Sequence, residues 1–163
     1  ITERMRKRIG RVPLLPPMGV IFAILAAQGD ARYANWWFPV AVAMPRMLAE
    51  LGRQPELGLL HAYNLFSFPH AMVVQYWKSF EALEAYAKAR DKAHLPAWQA
   101  FNKAVGSNGD VGIWHETYVI EPGKYENIYN NMPPYGLGAV VRNVDAVGGR
   151  QAARQRVKGK VAA

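Results

Sequence analysis

The 163-residue chain has no cysteine. Disulfides, thiolate metal sites, iron–sulfur clusters and thiol nucleophiles are therefore excluded. There is no glycine-rich phosphate loop, because Gly148-Gly149 lies in a polar stretch and is not followed by Lys-Ser/Thr. A G-x-S-x-G elbow is missing too, so a serine nucleophile has little support. No segment recurs at a fixed period, which argues against a repeat array. The most prominent apolar run, Gly19 to Ala27, spans nine residues, far short of the ~20 a membrane-spanning helix needs. Basic residues precede that run as in a secretory leader, but Pro13, Pro16 and Pro17 stand between the two. They suit an extended arm better than a leader helix. No membrane partner is expected, and a cytoplasmic location is.

What is present is a composition that folds. Apolar residues make up 51% of the chain, aromatics 12% and charged residues only 20%, the opposite of a disordered chain. The length suits one domain with a sizeable core. The formal net charge is +8, yet residues 1–11 carry +4 and residues 142–163 carry +5, leaving −1 on the stretch between them. Basic ends can touch polyanions. These lack interleaved aromatics or a recognition motif, so they read as solvated ends and nucleic acid is not an expected partner.

Periodicity orders the rest. Gly19 to Ala27 reads as a buried strand and Arg32 to Phe38 as irregular. Val40 to Leu51 reads as a helix closed by Gly52, with Pro45 expected to kink or shift it. Leu57 to Phe68 and Ala71 to Trp77 read as strands joined at Pro69-His70. Ser79 offers an N-cap to a helical stripe of Phe80, Leu83, Ala87, His94, Trp98, Phe101 and Val105. Pro96 predicts a kink, or two helices meeting near 92–96, and Gly106 and Gly109 end the segment. Val111 to Ile120 alternates as a last strand, with His115 on one face and Trp114, Glu116 and Tyr118 on the other.

The order β-α-β-β-α-β is the ferredoxin-like α+β pattern. Helices on one face of a four-stranded sheet leave the other face to be covered, and a second copy of the chain is the usual cover, giving a homodimer. The expected organisation is a basic, proline-rich arm over 1–17, the ferredoxin-like domain over 18–120, a packing arm over 121–141 and a basic tail over 142–163.

Two histidines are candidates for chemistry. His94 sits on the helical stripe beside a proline break, where a neutral imidazole can bind iron. The plainer reading is a boundary histidine hydrogen-bonded to a backbone carbonyl. His115 projects from the last strand among Val111, Ile113 and Val119, where an apolar setting tunes an imidazole as acid or base. Its plainer reading is a satisfied sheet histidine. Glu116 faces away from it on a regular strand. His61 and His70 have no helpful spacing, and no two histidines form a local zinc motif. Trp98 and Phe101 read as core or as the wall of a pocket.

Three stretches carry a resemblance. Val111 to Ile120 (VGIWHETYVI) is followed by Pro122-Gly123, Tyr125-Glu126, Ile128-Tyr129, Asn131-Met132-Pro133-Pro134 and Gly136-Leu137, and Tyr76 to Leu83 (YWKSFEAL) precedes them. Over roughly 18–140 the chain resembles a family of bacterial and fungal monooxygenase-like proteins. The resemblance implies the dimeric α+β barrel fold. A more distant similarity, to haem-containing aldoxime dehydratases, implies haem b with His94 as proximal iron ligand and His115 as distal acid–base group. Trp98 and Phe101 would flank the cofactor, and Glu116 would belong to the catalytic set. Met132 stands where those enzymes tend to have histidine, and their catalytic serine and arginine have no counterpart here, so nitrile formation is not implied. The leading expectation is a haem enzyme with monooxygenase- or dehydratase-like chemistry on a small hydrophobic substrate. A cofactor-independent monooxygenase, with His115, Trp114 and Tyr118 orienting an electron-rich aromatic, is the alternative. A non-enzymatic haem-binding protein is a third.

Overall fold

A computed structural model describes the backbone of residues 11–14, 18–26, 34–67, 70–105 and 112–158, and side chains within 42–66, 71–104 and 112–157. The basic residues of 1–10, the Pro69 junction, the Gly106 and Gly109 terminators and Val111 lie outside the described residues. The chain divides into two compact units, Gly19–Val119 and the pair of segments Ile1–Met18 and Ile120–Ala163.

The Gly19–Val119 unit holds a four-stranded sheet. Strands β2 (Met18–Ala26), β3 (Leu59–Ser67), β4 (His70–Trp77) and β5 (Trp114–Ile120) are arranged β3-β4-β2-β5. β4 pairs antiparallel with both β3 and β2. The first strand is thus inserted between the third and the fourth, the order of the ferredoxin-like fold expected from the sequence. Helices α1 (Ala34–Arg53), α2 (Phe80–Lys88) and α3 (His94–Val105) accompany the sheet.

Two expectations for α1 need correction. The segment from Arg32, expected to be irregular, is helical from Ala34, so Trp36 and Trp37 belong to the helix. Gly52 lies inside it rather than capping it. The helix runs on through Pro45 at the cost of one backbone donor. The chain reverses only after a 3-10 turn, Pro55–Leu57, at Gly58, whose φ of 96° is a left-handed conformation that favours glycine.

β3 contains a bulge. Leu59 is level with Trp77, but His61, not Leu60, is level with Tyr76. The extra residue sends Leu59 to the helix side and His61 to the opposite side, where it meets the ring of Tyr63 at 4.4 Å between centroids. The helix-facing core is built on Trp77 (1% exposed), Leu51 and Tyr86, with Leu57, Leu59, Ala82 and Leu83 packed around them.

Ser79 caps α2 as predicted, its hydroxyl accepting from the Ala82 N–H at 3.2 Å. The stripe beyond it does split into two helices. Pro96 falls in the first turn of α3, where its missing N–H would have had no partner inside the helix, so it is tolerated there. The last strand is shorter than expected, because residues 112–113 precede it as irregular chain.

In the second unit, β1 (Arg11–Leu14) pairs antiparallel with β6 (Arg142–Asp145). Arg11 and Arg142–Asp145, which belong to the two basic ends, are thus part of a paired ribbon. A short helix α4 (Leu137–Val140) lies within the packing arm, and α5 (Ala153–Lys158) follows it. The Tyr129 hydroxyl donates to the Tyr135 carbonyl at 2.5 Å and accepts from the Gly138 N–H at 2.9 Å. Arg156, its side chain almost fully buried, is ion-paired with Glu126 and also donates to the Arg150 and Gln151 carbonyls. Thus part of the basic tail is built into this unit.

Candidate active site

Between the helices and the sheet of the Gly19–Val119 unit lies a cavity of about 510 Å³, within the range of small-molecule sites. Its walls come from α1 (Val42 to Leu51), α2 (Leu83, Tyr86, Ala87), α3 (His94 to Phe101), β4 (Gln75, Trp77) and the start of β5 (Ile113, His115, Thr117). The period-two alternation of β4 and β5 and the helical repeat of α1 and α3 turn these residues to a common interior. Among the described residues no carboxylate lines the cavity. Arg46, Gln75, Thr117 and the two histidines are the polar groups in an otherwise apolar and aromatic surface.

His94 opens α3. Its Nδ1 lies 3.1 Å from the Ala87 carbonyl at the end of α2. A carbonyl only accepts, so Nδ1 carries the proton, and in the neutral ring Nε2 keeps its lone pair. The plain reading of His94 is therefore met, and it leaves a nitrogen available to act as base or metal ligand. This is the arrangement that fixes metal-binding histidines, whose second nitrogen is held by a carbonyl or carboxylate.

His115 remains solvent-accessible, but the protein packed around it penalises the charged ring, and His94 opposes a second positive charge. Both effects lower its pKa, burial more than charge. Trp98 lies against it with centroids 5.6 Å apart and planes 32° from parallel, and Trp98 is itself stacked on Phe101 at 6.1 Å. Four sequence candidates, His94, His115, Trp98 and Phe101, thus share one cavity.

Glu116 is not brought to them. It lies on the opposite face of β5, where the Tyr118 hydroxyl donates to it at 2.5 Å and the bond raises the Tyr118 pKa. Trp114, one step from His115 on the alternating strand, shares that face and is likewise outside the cavity lining. His61 lies away from the cavity beside Tyr63. Among the described residues no group of three His, Asp or Glu side chains could hold a metal ion.

Sequence reasoning missed the polar supports. Gln75 is buried, accepts from the Trp77 indole N–H at 3.0 Å and is 4.0 Å from the Met44 sulfur. Its signal was a polar residue on the inward register of an otherwise apolar strand. Tyr86 donates to Glu50 at 2.9 Å. Burial, followed by that bond, pushes the Tyr86 hydroxyl well above the ordinary phenol range. Glu50 and Tyr86 are 36 residues apart, and no local spacing connects them.

Comparison with known proteins places this geometry in a family. The chain is 31% identical over 93 residues to monooxygenase af470 of Aspergillus fumigatus, a match covering 54% of this chain and 32% of that protein. It therefore spans about a third of that relative's length. The family model described as monooxygenase af470-like matches residues 20–137, which include every described residue of the cavity wall. The chain belongs to the monooxygenase af470-like family.

Proposed function

We propose that the chain is an oxygenase whose substrate is a small, flat, apolar molecule bound in the cavity, with His94 and His115 handling protons. The observation that carries this reading is the convergence of two imidazoles on a largely apolar and aromatic cavity, one of them with its protonated nitrogen fixed by Ala87. The stacked Trp98 and Phe101 offer a planar surface for an aromatic ring. A phenolic or enolic substrate lying there would lose its proton to a neutral imidazole, and the resulting electron-rich anion is the form that reacts with oxygen. The apolar walls keep bulk water from competing for that proton. Nε2 of His94, left free by the Nδ1 bond to Ala87, is placed to accept the proton, and His115, kept neutral by its lowered pKa, to hydrogen-bond the substrate oxygen or the oxygenated product. The test is oxygen consumption by metal- and haem-free protein with a panel of polycyclic phenols. Turnover that falls at least tenfold in both His94→Ala and His115→Ala supports the reading; equal rates in the variants overturn it.

A second reading is favoured by the His94 bond to Ala87 and by similarity to haem-containing aldoxime dehydratases. The residues fit haem b in one respect: a single imidazole with a free Nε2 and an anchored Nδ1 facing an aromatic, apolar cavity. His94 would hold the iron, Trp98 and Phe101 would flank the macrocycle, and His115 would face the reacting group. Bound haem would supply oxygen activation or dehydration, and the protein would supply orientation and protons. A Soret band after haem addition that His94→Ala removes supports this reading; a wild-type protein that develops none refutes it.

The functional unit is proposed to be a homodimer formed through the sheet face away from the cavity. Leu65 is 45% exposed there, Trp114 44% and Tyr118 51%, more large apolar surface than a lone sheet leaves in water.

A further inference from the structure

The site contains a third-party clamp. Helix α3 begins with Ala93 in the cap position, its carbonyl accepting from the Ala97 N–H at 3.3 Å. Helix starts usually satisfy their free N–H groups with a Ser, Thr, Asp or Asn cap and a Glu or Gln three residues on. Here the cap is alanine and the third following residue is Pro96, so neither partner exists. Instead Glu50, from α1 and 43 residues away, reaches in: its Oε2 accepts the Ala93 N–H at 3.0 Å and the Tyr86 hydroxyl at 2.9 Å. One carboxylate oxygen therefore ties α1, α2 and the start of α3 at the residue adjacent to His94. The same segment is held a second time by the Lys92 ammonium, which donates to Gln54 Oε1 of the turn after α1 at 2.9 Å. Tyr86 also lies beside the His94 ring, with centroids 6.1 Å apart.

We infer that Glu50 is a positioning residue for His94: by capping α3 from another helix it holds the imidazole where Nδ1 meets the Ala87 carbonyl and Nε2 stays free. The inference rests on the reading of His94 as an acting group, but its test does not require turnover. A charge-assisted bond to a backbone N–H is among the stronger protein hydrogen bonds. Losing it frees the first turn of α3, and with it the His94 ring.

The experiment is nitrogen-15 NMR of the full chain at about pH 8, above the ordinary imidazole range, where the two neutral tautomers give distinct signals. Wild type should show His94 protonated on Nδ1 and an Ala93 amide protected from hydrogen exchange. Glu50→Met keeps the side-chain length and helix preference but removes both acceptor oxygens. It should lose the single-tautomer signature and speed Ala93 exchange about tenfold or more. Glu50→Gln keeps an acceptor and should restore the signature. Tyr86→Phe removes the other bond to Glu50 and should lower stability with the His94 signature intact, which separates positioning from plain structural support. An unchanged His94 signature in folded Glu50→Met overturns the inference. If that variant does not fold, a freely exchanging Ala93 amide in wild type overturns it. A wild-type His94 protonated on Nε2 would instead refute the role given to His94 itself.

Discussion

At the scale of single residues, the cavity places two imidazoles in opposite circumstances. His94 has a fixed hydrogen-bond partner for one nitrogen. The pKa of His115 is lowered, by burial first and by His94 second. The sign of the pH effect follows: a histidine whose folded pKa is depressed binds fewer protons when folded than when unfolded. Its contribution is therefore intact above the ordinary imidazole value of ~6.5 and is lost as pH falls through the window between that value and the lower folded one. Thermal melts from pH 8 to pH 5 should show declining stability below about 6.5, and His115→Phe should flatten the His115 part of that decline. Trp77 sets the other extreme. With 1% of its surface exposed and its indole N–H satisfied by Gln75, Trp77→Ala should cost about 3–5 kcal/mol in denaturant unfolding.

Secondary-structure elements show what a linear reading can recover. Period-two and helical patterns disclosed the four sheet strands, the Ser79 cap and the division near Pro96. Each is a local property of neighbouring side chains. They also placed His94, His115, Trp98 and Phe101 on inward stripes. The Glu50 to Ala93 bond was invisible, because a cap supplied by a distant helix leaves no mark near the helix it caps. So was the bulge at Leu60, which shifts the alternation by one residue and blurs the pattern of β3. The start of α1 departs from the sequence pattern because adjacent tryptophans resemble a loop or strand, whereas the helix runs through them. Ser79→Ala should destabilise by about 1 kcal/mol in equilibrium unfolding, the usual value of a helix cap. Gly58→Ala should be worse. Beyond the unfavourable φ, the added methyl would stand 2.8 Å from the Ala82 Cβ, so α2 would have to shift. A loss well above 1 kcal/mol is expected.

For the whole molecule, the sheet has one face committed to helices and cavity and another that exposes Leu65, Trp114 and Tyr118. If a second copy covers that face, Leu65→Asp combined with Tyr118→Asp should convert a dimer to a monomer in light scattering, with the cavity side untouched. A wild-type chain that is monomeric at micromolar concentration would refute the assembly.

The sheet order has a further consequence, for how the chain gets there. β3 and β4 are neighbours in sequence and can zip together as soon as both exist. β2 must wait for β4 although it precedes it by more than forty residues, and it must leave room on its far side for β5. Closing those long loops costs conformational entropy before any contact repays it. The strand bearing His115 closes the longest loop in the sheet, back to β2, so the cavity wall is complete only when the two ends of the Gly19–Val119 unit have met.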